Sequence, residues 1–312
     1  MKAFAITDFG APPELLDLPT PTPGEGELVV DVEHASINGM DVAVAGGYLK
    51  DVMPHEFPVT LGRDFAGTVA ATGPGVDGFS RGDRVWGLIA SPSLHDGTLS
   101  EQLVIPAWSA AVRPDGLDSA TAGALALAGI AAQAAIDALA LKAGETVLVA
   151  GATGGVGSIA VQLAKIAGAH VIATATTDRN AFVRELGADD VVDHTADLAA
   201  QVRAIAPDGV DAAVHAAGDP NVLADLVRPG GRMASELGFG QEAAGDRDLT
   251  ATPVMSIPSA DALGRLGELV ASGRLRVPIS KTFRLDDAAS ALADFGGPKT
   301  GKIAITVREG AL

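Results

Sequence analysis

Residues 147–174 read VLVAGATGGVGSIAVQLAKIAGAHVIAT, and this stretch decides the fold. Val147 to Ala150 is an apolar run bounded by Gly144 and Gly151, as suits a buried parallel strand. Ala152, Gly154 and Gly157 then fall at A-x-G-x-x-G spacing. Alanine at the first position relaxes the tight turn. Gly154 leaves room for a pyrophosphate to approach the backbone, and Gly157 lets the following helix lie close to the strand. Gly155, Val156 and Gly157 open that helix, whose free N–H groups and positive end suit an anion. Val156, Ile159, Ala160, Leu163, Ala164 and Ala167 keep helical spacing on one face. Gly168 ends the helix and Val171-Ile172 start the next strand. Strand, glycine turn, helix, strand is the plan of a dinucleotide-binding unit.

The end of the second strand bears on which dinucleotide. An acid there would bond a ribose 2′-hydroxyl. This chain instead has Thr174-Ala175-Thr176-Thr177, with Asp178 only in the following turn and Arg179 beside it. Hydroxyls and an arginine fork suit a 2′-phosphate, which favours NADPH, with Thr176 and Arg179 as its contacts. The competing role for this pair is structural: Asp178 caps a helix over 179–186 and Arg179 is solvated.

The chain has 312 residues, which suits two domains, and is 47% hydrophobic. Lys and Arg number 22 against 39 Asp and Glu, a formal net charge of −17. Nucleic-acid backbones call for a basic footprint, so a nucleic-acid partner is not expected. There are no cysteines, which excludes disulfides, thiol catalysis and cysteine-ligated zinc. The start, MKAFAITDFGAPPE, does not read as a signal peptide. The longest apolar stretch, 120–141, is rich in small residues and holds Gln133 and Asp137, so a buried helix is expected rather than a membrane span. A cytoplasmic protein is the expectation.

The texture changes along the chain. Short β-prone runs at 28–32, 68–71, 84–89 and 99–105, with Gly and Pro between them, predict a largely antiparallel β unit. From Ser119 helices alternate with strands, including short strands at Val191-Val192, 210–215 and, after the turn Pro229-Gly230-Gly231, 232–236. That alternation predicts a parallel sheet covered by helices on both faces. The end returns to mixed elements: helices near 260–272 and 286–295, and strands near 282–285 and 302–307.

Several ordered motifs together resemble the medium-chain dehydrogenase/reductase superfamily, and within it the zinc-independent quinone oxidoreductase branch. They are PTPTPGEGELVVDVEHASINGMD from Pro19, LGRDFAGTVAATGPGVDGFSRGDRVWG from Leu61, GETVLVAGATGGVGSIAVQLAK from Gly144, ELGADDVVDH from Glu185 and GKIAITV from Gly301. The resemblance covers essentially the whole chain. It implies an α/β protein: a Rossmann doubly wound parallel sheet over 118–255, plus a GroES-like, mainly antiparallel β catalytic domain from 1–117 and 256–312. It also implies an active site in the cleft between the domains and a homodimer.

Zinc-dependent relatives place Cys in the early motif and His in a Gly-His-Glu. Here Asn38 or its neighbours fill the first position and Arg63, in Gly62-Arg63-Asp64, the second. Arginine is no metal ligand, and the six histidines show no paired spacing, so no metal site is expected. Without zinc to polarise a carbonyl, the acceptor must already be electrophilic. The resemblance assigns Tyr48, the single tyrosine, to a substrate pocket, where it stacks on, hydrogen-bonds to or protonates the acceptor, or else seals a loop. It places Asn38 near the nicotinamide, its amide holding the substrate oxygen, with Asp41 in a structural role. His194 stands where relatives carry a tyrosine at the 2′-phosphate end, and is either a phosphate donor or a surface histidine. Ala131 stands where many relatives have a threonine, which removes a hydroxyl there. Strand carboxyl ends face the ligand, so Ala217 is assigned to the cofactor ribose and Leu237, Gly238 and Phe239 to the nicotinamide, Phe239 shaping the pocket. The expected reaction is hydride transfer from NADPH to a quinone or an α,β-unsaturated carbonyl. The alternatives are an enoyl or alkenal reductase of secondary metabolism, and an NADPH-binding sensor or structural protein with little turnover.

Overall fold

The computed structural model describes residues 1–308. The chain divides into two compact units. The first comprises Met1–Leu127, Ile257–Arg274 and the chain from Ile279 onward; the second comprises Ala128–Ser256 and Leu275–Pro278.

The first unit opens with β1 (Lys2–Ile6), β2 (Glu14–Asp17), β3 (Glu27–Ile37), α1 (Gly39–Ala45), β4 (Val59–Thr60), β5 (Asp64–Thr72), β6 (Arg84–Leu88), β7 (Gln102–Pro106) and β8 (Ala110–Val112). Next comes α2 (Ser119–Leu139), within which the units divide. The second unit holds β9 (Thr146–Ala150), α3 (Gly155–Ile166), β10 (His170–Thr174), α4 (Asn180–Glu185), β11 (Asp190–Val192), α5 (Leu198–Ile205), β12 (Val210–His215), α6 (Pro220–Ala224), β13 (Val227–Ser235), α7 (Gln241–Ala244) and β14 (Leu249–Pro253). The return to the first unit adds α8 (Ala260–Ala271), β15 (Ile279–Arg284), α9 (Ala288–Phe295) and β16 (Lys302–Thr306).

β3 is the spine of the first unit. One edge pairs antiparallel with β5 along most of its length; the other pairs with β7 over Glu27–Asp31 and with β16 over His34–Ile37. The sheet continues from β5 to β6 and β8, and β15 joins β16 in parallel. A small antiparallel sheet, β2-β1-β4, lies apart from it. Ile37 opposite Ile303 brings the late GKIAI motif beside the early ASING motif, a contact across most of the sequence. Leu28, Val30, Phe65, Val85, Ile105 and Ile303 help form the core.

The second unit is a parallel sheet in the order β11-β10-β9-β12-β13-β14. Successive strands run outward from β9 to one side, then switch to the other. The topological switch therefore falls between β9 and β12, at whose carboxyl ends such sheets bind ligands. Its core includes Leu148, Ile172, Val210, Met233 and Phe239.

The first unit extends to Leu127, within the long helix α2. The reason is local: Ser119 Oγ donates to Glu33 at 2.6 Å, and a Cβ on Gly123 would come within 2.6 Å of the His34 carbonyl oxygen. β13 begins at Val227, because Pro229-Gly230 is a bulge inside the strand; Val210 pairs with Val227 and Ala212 with Arg232. β14, an edge strand, carries only Leu249 and Ala251 as buried apolar residues and gave no periodic signal. α2 is long and apolar enough to cross a membrane by length and composition, yet 72% of its most apolar window is buried in the fold.

Candidate functional site

In the second unit β9 ends in a turn whose geometry explains each glycine separately. Gly151, not the residue at the motif's first position, takes the left-handed conformation (φ 80°), so Ala152 costs the turn nothing. Its N–H donates to Thr174 Oγ1 at 3.0 Å, tying the end of β9 to the end of β10. A Cβ on Gly157 would sit 2.2 Å from the Gly151 carbonyl oxygen, so this glycine sets how closely α3 approaches the turn. Gly154 differs. Its φ of −80° suits any residue, and a Cβ there would meet only the Gly151 oxygen, at 3.4 Å. The fold has no internal need for glycine at 154, and the space above it is the cradle a dinucleotide backbone would use. The first rung of α3 is Ser158 N–H to the Gly154 carbonyl at 3.0 Å. The N–H groups of Gly155, Val156 and Gly157 therefore precede the helical ladder, as anion binding requires. The residues present fit a pyrophosphate.

Thr176, Arg179 and His194 lie after the adjacent parallel strands β10 and β11, so the fold gathers them at one sheet end. Thr176 precedes a short 3₁₀ turn, Thr177–Arg179, and the Thr176 hydroxyl holds the Asp178 carboxyl below the ordinary aspartate range. Arg179 Nε is 3.7 Å from Asp178 Oδ2. His194 is exposed, beside Asp193, whose carboxyl is lowered chiefly by the hydroxyl and N–H of Thr195. Asp178 caps no long helix, since α4 starts only at Asn180.

The loops after β12 and β13 are locked together by His215 and Ser235. Ser235 Oγ accepts the N–H groups of Leu237 (3.1 Å) and Phe239 (3.0 Å). Its one hydrogen is then left for His215 Nδ1, 2.9 Å away. His215 Nε2 consequently carries the ring proton and donates to the Gly218 carbonyl at 3.2 Å. One serine and one histidine thus fix both loops assigned to ribose and nicotinamide. Ala217 and Leu237 are exposed and Gly238 has φ 83°. The Phe239 ring is buried and packs in the core of the second unit.

In the first unit the GRD and ASING segments make a buried polar cluster. Lys302, 4% exposed, directs its ammonium at Asn38 Oδ1, with Asp64 Oδ2 and the Ile37 carbonyl oxygen each at 3.4 Å. Asp64 Oδ1 accepts from Ser36 Oγ (2.7 Å) and Asn38 Nδ2 (3.1 Å). The Asn38 amide also donates to the Ser36 carbonyl at 3.3 Å. Both amide hydrogens are thereby directed at protein atoms, which ties Asn38 into the cluster. Asp41 accepts the N–H of Asn38 at 2.7 Å and of Gly62 at 2.8 Å. Burial pushes its carboxyl up to about 6, against the opposing pull of Arg63 and the two N–H groups. Burial likewise lowers the Arg63 guanidinium, whose Nε has no hydrogen-bond partner. Tyr48 lies outside the cluster, 77% exposed, its ring against Gly46 in the loop after α1. The sequence offers Lys302 two roles, reaching the cofactor or opening the last strand, and gives Asp64 none; a lysine opening a strand carries no signal of the partner it meets.

A glycine cradle at the switch point of a parallel sheet, in one chain with an antiparallel β unit, defines a dinucleotide-binding oxidoreductase fold. A family model described as alcohol dehydrogenase GroES-like domain matches residues 24–115, and one described as zinc-binding dehydrogenase matches residues 155–264. The chain is 32% identical to the chloroplast envelope quinone oxidoreductase homolog of Arabidopsis thaliana, over 98% of each chain. It is 34% identical to part of the phthioceranic/hydroxyphthioceranic acid synthase of Mycobacterium tuberculosis, covering 91% of this chain and 14% of that one. The solved quinone oxidoreductase from Coxiella burnetii superposes with a TM-score of 0.89 at 29% identity, over 99% of each chain. The chain belongs to the medium-chain dehydrogenase/reductase superfamily, in its quinone oxidoreductase branch.

Proposed function

We propose that this oxidoreductase uses NADPH to reduce a quinone or an α,β-unsaturated carbonyl, without zinc. The observation that carries the zinc-free reading is the Lys302 ammonium set among Asn38, Asp64 and the Ile37 carbonyl, with Arg63 one residue away in sequence from Asp64. A metal needs electron-pair donors, and here the oxygens of Asn38 and Asp64 already face a cation. Among the described residues no three His, Asp or Glu side chains converge as a metal site would need. The residues present do not fit the zinc that one matching family description names. Lacking a Lewis acid, the site suits an acceptor that is electrophilic by itself.

Gly154, Gly155, Val156 and Gly157 would hold the pyrophosphate, and Ala217, Leu237 and Gly238 the ribose and nicotinamide. Bound NADPH supplies the hydride. The absence of an acid from Thr174 to Thr177 supports NADPH over NADH, with Thr176, Arg179 and His194 receiving the 2′-phosphate. Tyr48, exposed on its loop, is proposed to line the acceptor pocket. A homodimer is part of the same proposal.

The test is the loss of reduced-nicotinamide absorbance with NADPH and NADH in parallel over a panel of quinones and enones. Turnover with NADPH well above NADH is expected. A preference for NADH, or turnover that requires added zinc, would overturn the reading. The better substrate in the panel decides between a quinone and an enone.

A further inference from the structure

Glu236 is the first residue after β13, and it is held from both sides. Its N–H donates to the His215 carbonyl at 3.0 Å, and the N–H groups of Leu237 and Phe239 are bound by Ser235 Oγ. The side chain therefore leaves from a fixed piece of backbone at the carboxyl end of the parallel sheet. Its Oε1 is buried and has no hydrogen-bond partner. An orphaned buried carboxyl oxygen is costly for a fold to keep, and calls for a partner the protein itself does not supply. The strand order places it on the β12–β13 side of the switch point. That is the half of a dinucleotide site opposite the proposed 2′-phosphate contacts after β10 and β11.

The charge around Glu236 is simple. Burial alone pushes its carboxyl up to about 8, and no charged neighbour contributes. His215 on the adjoining strand has both ring nitrogens engaged by Ser235 and Gly218. β14 carries no titratable side chain, and Glu242 on α7 is exposed. Burial thus favours the protonated form of Glu236, in a site where reduction of a carbonyl or enone calls for a proton as well as a hydride.

We propose that Glu236 couples the proton to the hydride: its carboxylic acid stays intact beside the reduced nicotinamide and yields its proton to the acceptor as the ring becomes cationic. This rests on the nicotinamide-dependent reading above. The balance is complete. The hydride carries two electrons from the reduced nicotinamide to the acceptor carbon or oxygen, the Glu236 O–H bond breaks as the acceptor takes that proton, and the carboxylate left behind faces the new positive charge until water reprotonates it. The nicotinamide is oxidised and the acceptor reduced.

The same coupling shows in binding, without any acceptor. A cationic ring beside Glu236 favours the carboxylate, so NADP⁺ should expel a proton from the wild-type protein near pH 7 and NADPH should not. Titration calorimetry in buffers of differing ionisation enthalpy measures this. The affinity ratio of NADP⁺ to NADPH should climb with pH, by at most about tenfold per pH unit, and level off above about pH 8; the 2′-phosphate's own titration cancels in that ratio. Glu236→Gln should abolish both the proton release and the slope while still binding NADPH. Equal proton release from Glu236→Gln, or a wild-type ratio flat from pH 6 to 9, would overturn the proposal and leave the reductase reading standing. Absence of heat with either nucleotide would overturn both. The wild-type titrations decide the matter even if the variant does not fold.

Discussion

Gly154 and Gly157 are three residues apart and are glycine for different reasons. Gly157 answers to the fold: a Cβ would strike the Gly151 carbonyl oxygen at 2.2 Å. Gly157→Ala should cost about 1–3 kcal/mol, read by urea denaturation, since the turn or helix must move. Gly154 answers to nothing inside the protein. Gly154→Ala should leave the melting temperature unchanged and weaken NADPH binding by about 1.4 kcal/mol or more, a factor of about ten in Kd. Unchanged nucleotide affinity would remove Gly154 from the cofactor site. Asp41 makes a prediction in pH. Its folded-state value of about 6 exceeds the ordinary 3.8, so the folded protein holds this proton more tightly than the unfolded chain does. Its contribution to stability is complete below about pH 3.8, falls as pH rises towards 6, and is constant above. Asp41→Asn should flatten that part of the stability–pH curve, at a cost of about 1–3 kcal/mol because a single amide oxygen replaces two carboxylate acceptors.

At the scale of elements, two assemblies join segments that the sequence keeps apart. β3 and β16 pair so that Lys302 meets Asn38 and Asp64. Removing the ammonium by Lys302→Met strands a carboxylate that is 0% exposed, and a loss of about 3–5 kcal/mol is expected in denaturant. A loss below 1 kcal/mol would mean that the cluster is held by its other hydrogen bonds. The second assembly is the pair of loops after β12 and β13, held by Ser235. Ser235→Ala frees the N–H groups of Leu237 and Phe239 and the Nδ1 of His215 together. NADPH affinity should fall while the β-sheet signature in circular dichroism is kept, because the strands do not depend on that hydroxyl.

For the whole molecule, ligand binding and charge are the accessible quantities. A nucleotide that binds only the folded chain raises its stability by RT ln(1 + [L]/Kd), about 2.7 kcal/mol at a hundredfold excess over Kd. NADPH should therefore raise the melting temperature more than NADH at equal concentration; the reverse order would overturn the assignment of Thr176, Arg179 and His194. The net charge of −17 predicts negligible retention on a polyanion column at low salt, where a nucleic-acid-binding protein would be held.

The βαβ unit was legible from Val147 to Thr174 because its signals are local. Apolar strand, glycine turn and helical periodicity each lie within a few residues of the groups they position, and β12 was read at its observed limits, 210–215. Net charge and the absence of cysteine are likewise properties of the chain alone. Other features answered only to the tertiary structure. Gly151 rather than Ala152 turns the chain because the strand it ends sits beside Thr174 and Ala217. The Phe239 ring packs into the core while its N–H is held by Ser235, two partnerships set by separate strands. Asn38 spends its amide on Asp64 and Ser36 because a late strand brings Lys302 beside it. Glu236, an ordinary surface-type residue in sequence, has its carboxyl pushed up to about 8 by burial. Backbone pattern is written in neighbours along the chain; desolvation and polar partnership depend on which distant segments fold against each other, and no spacing rule encodes that.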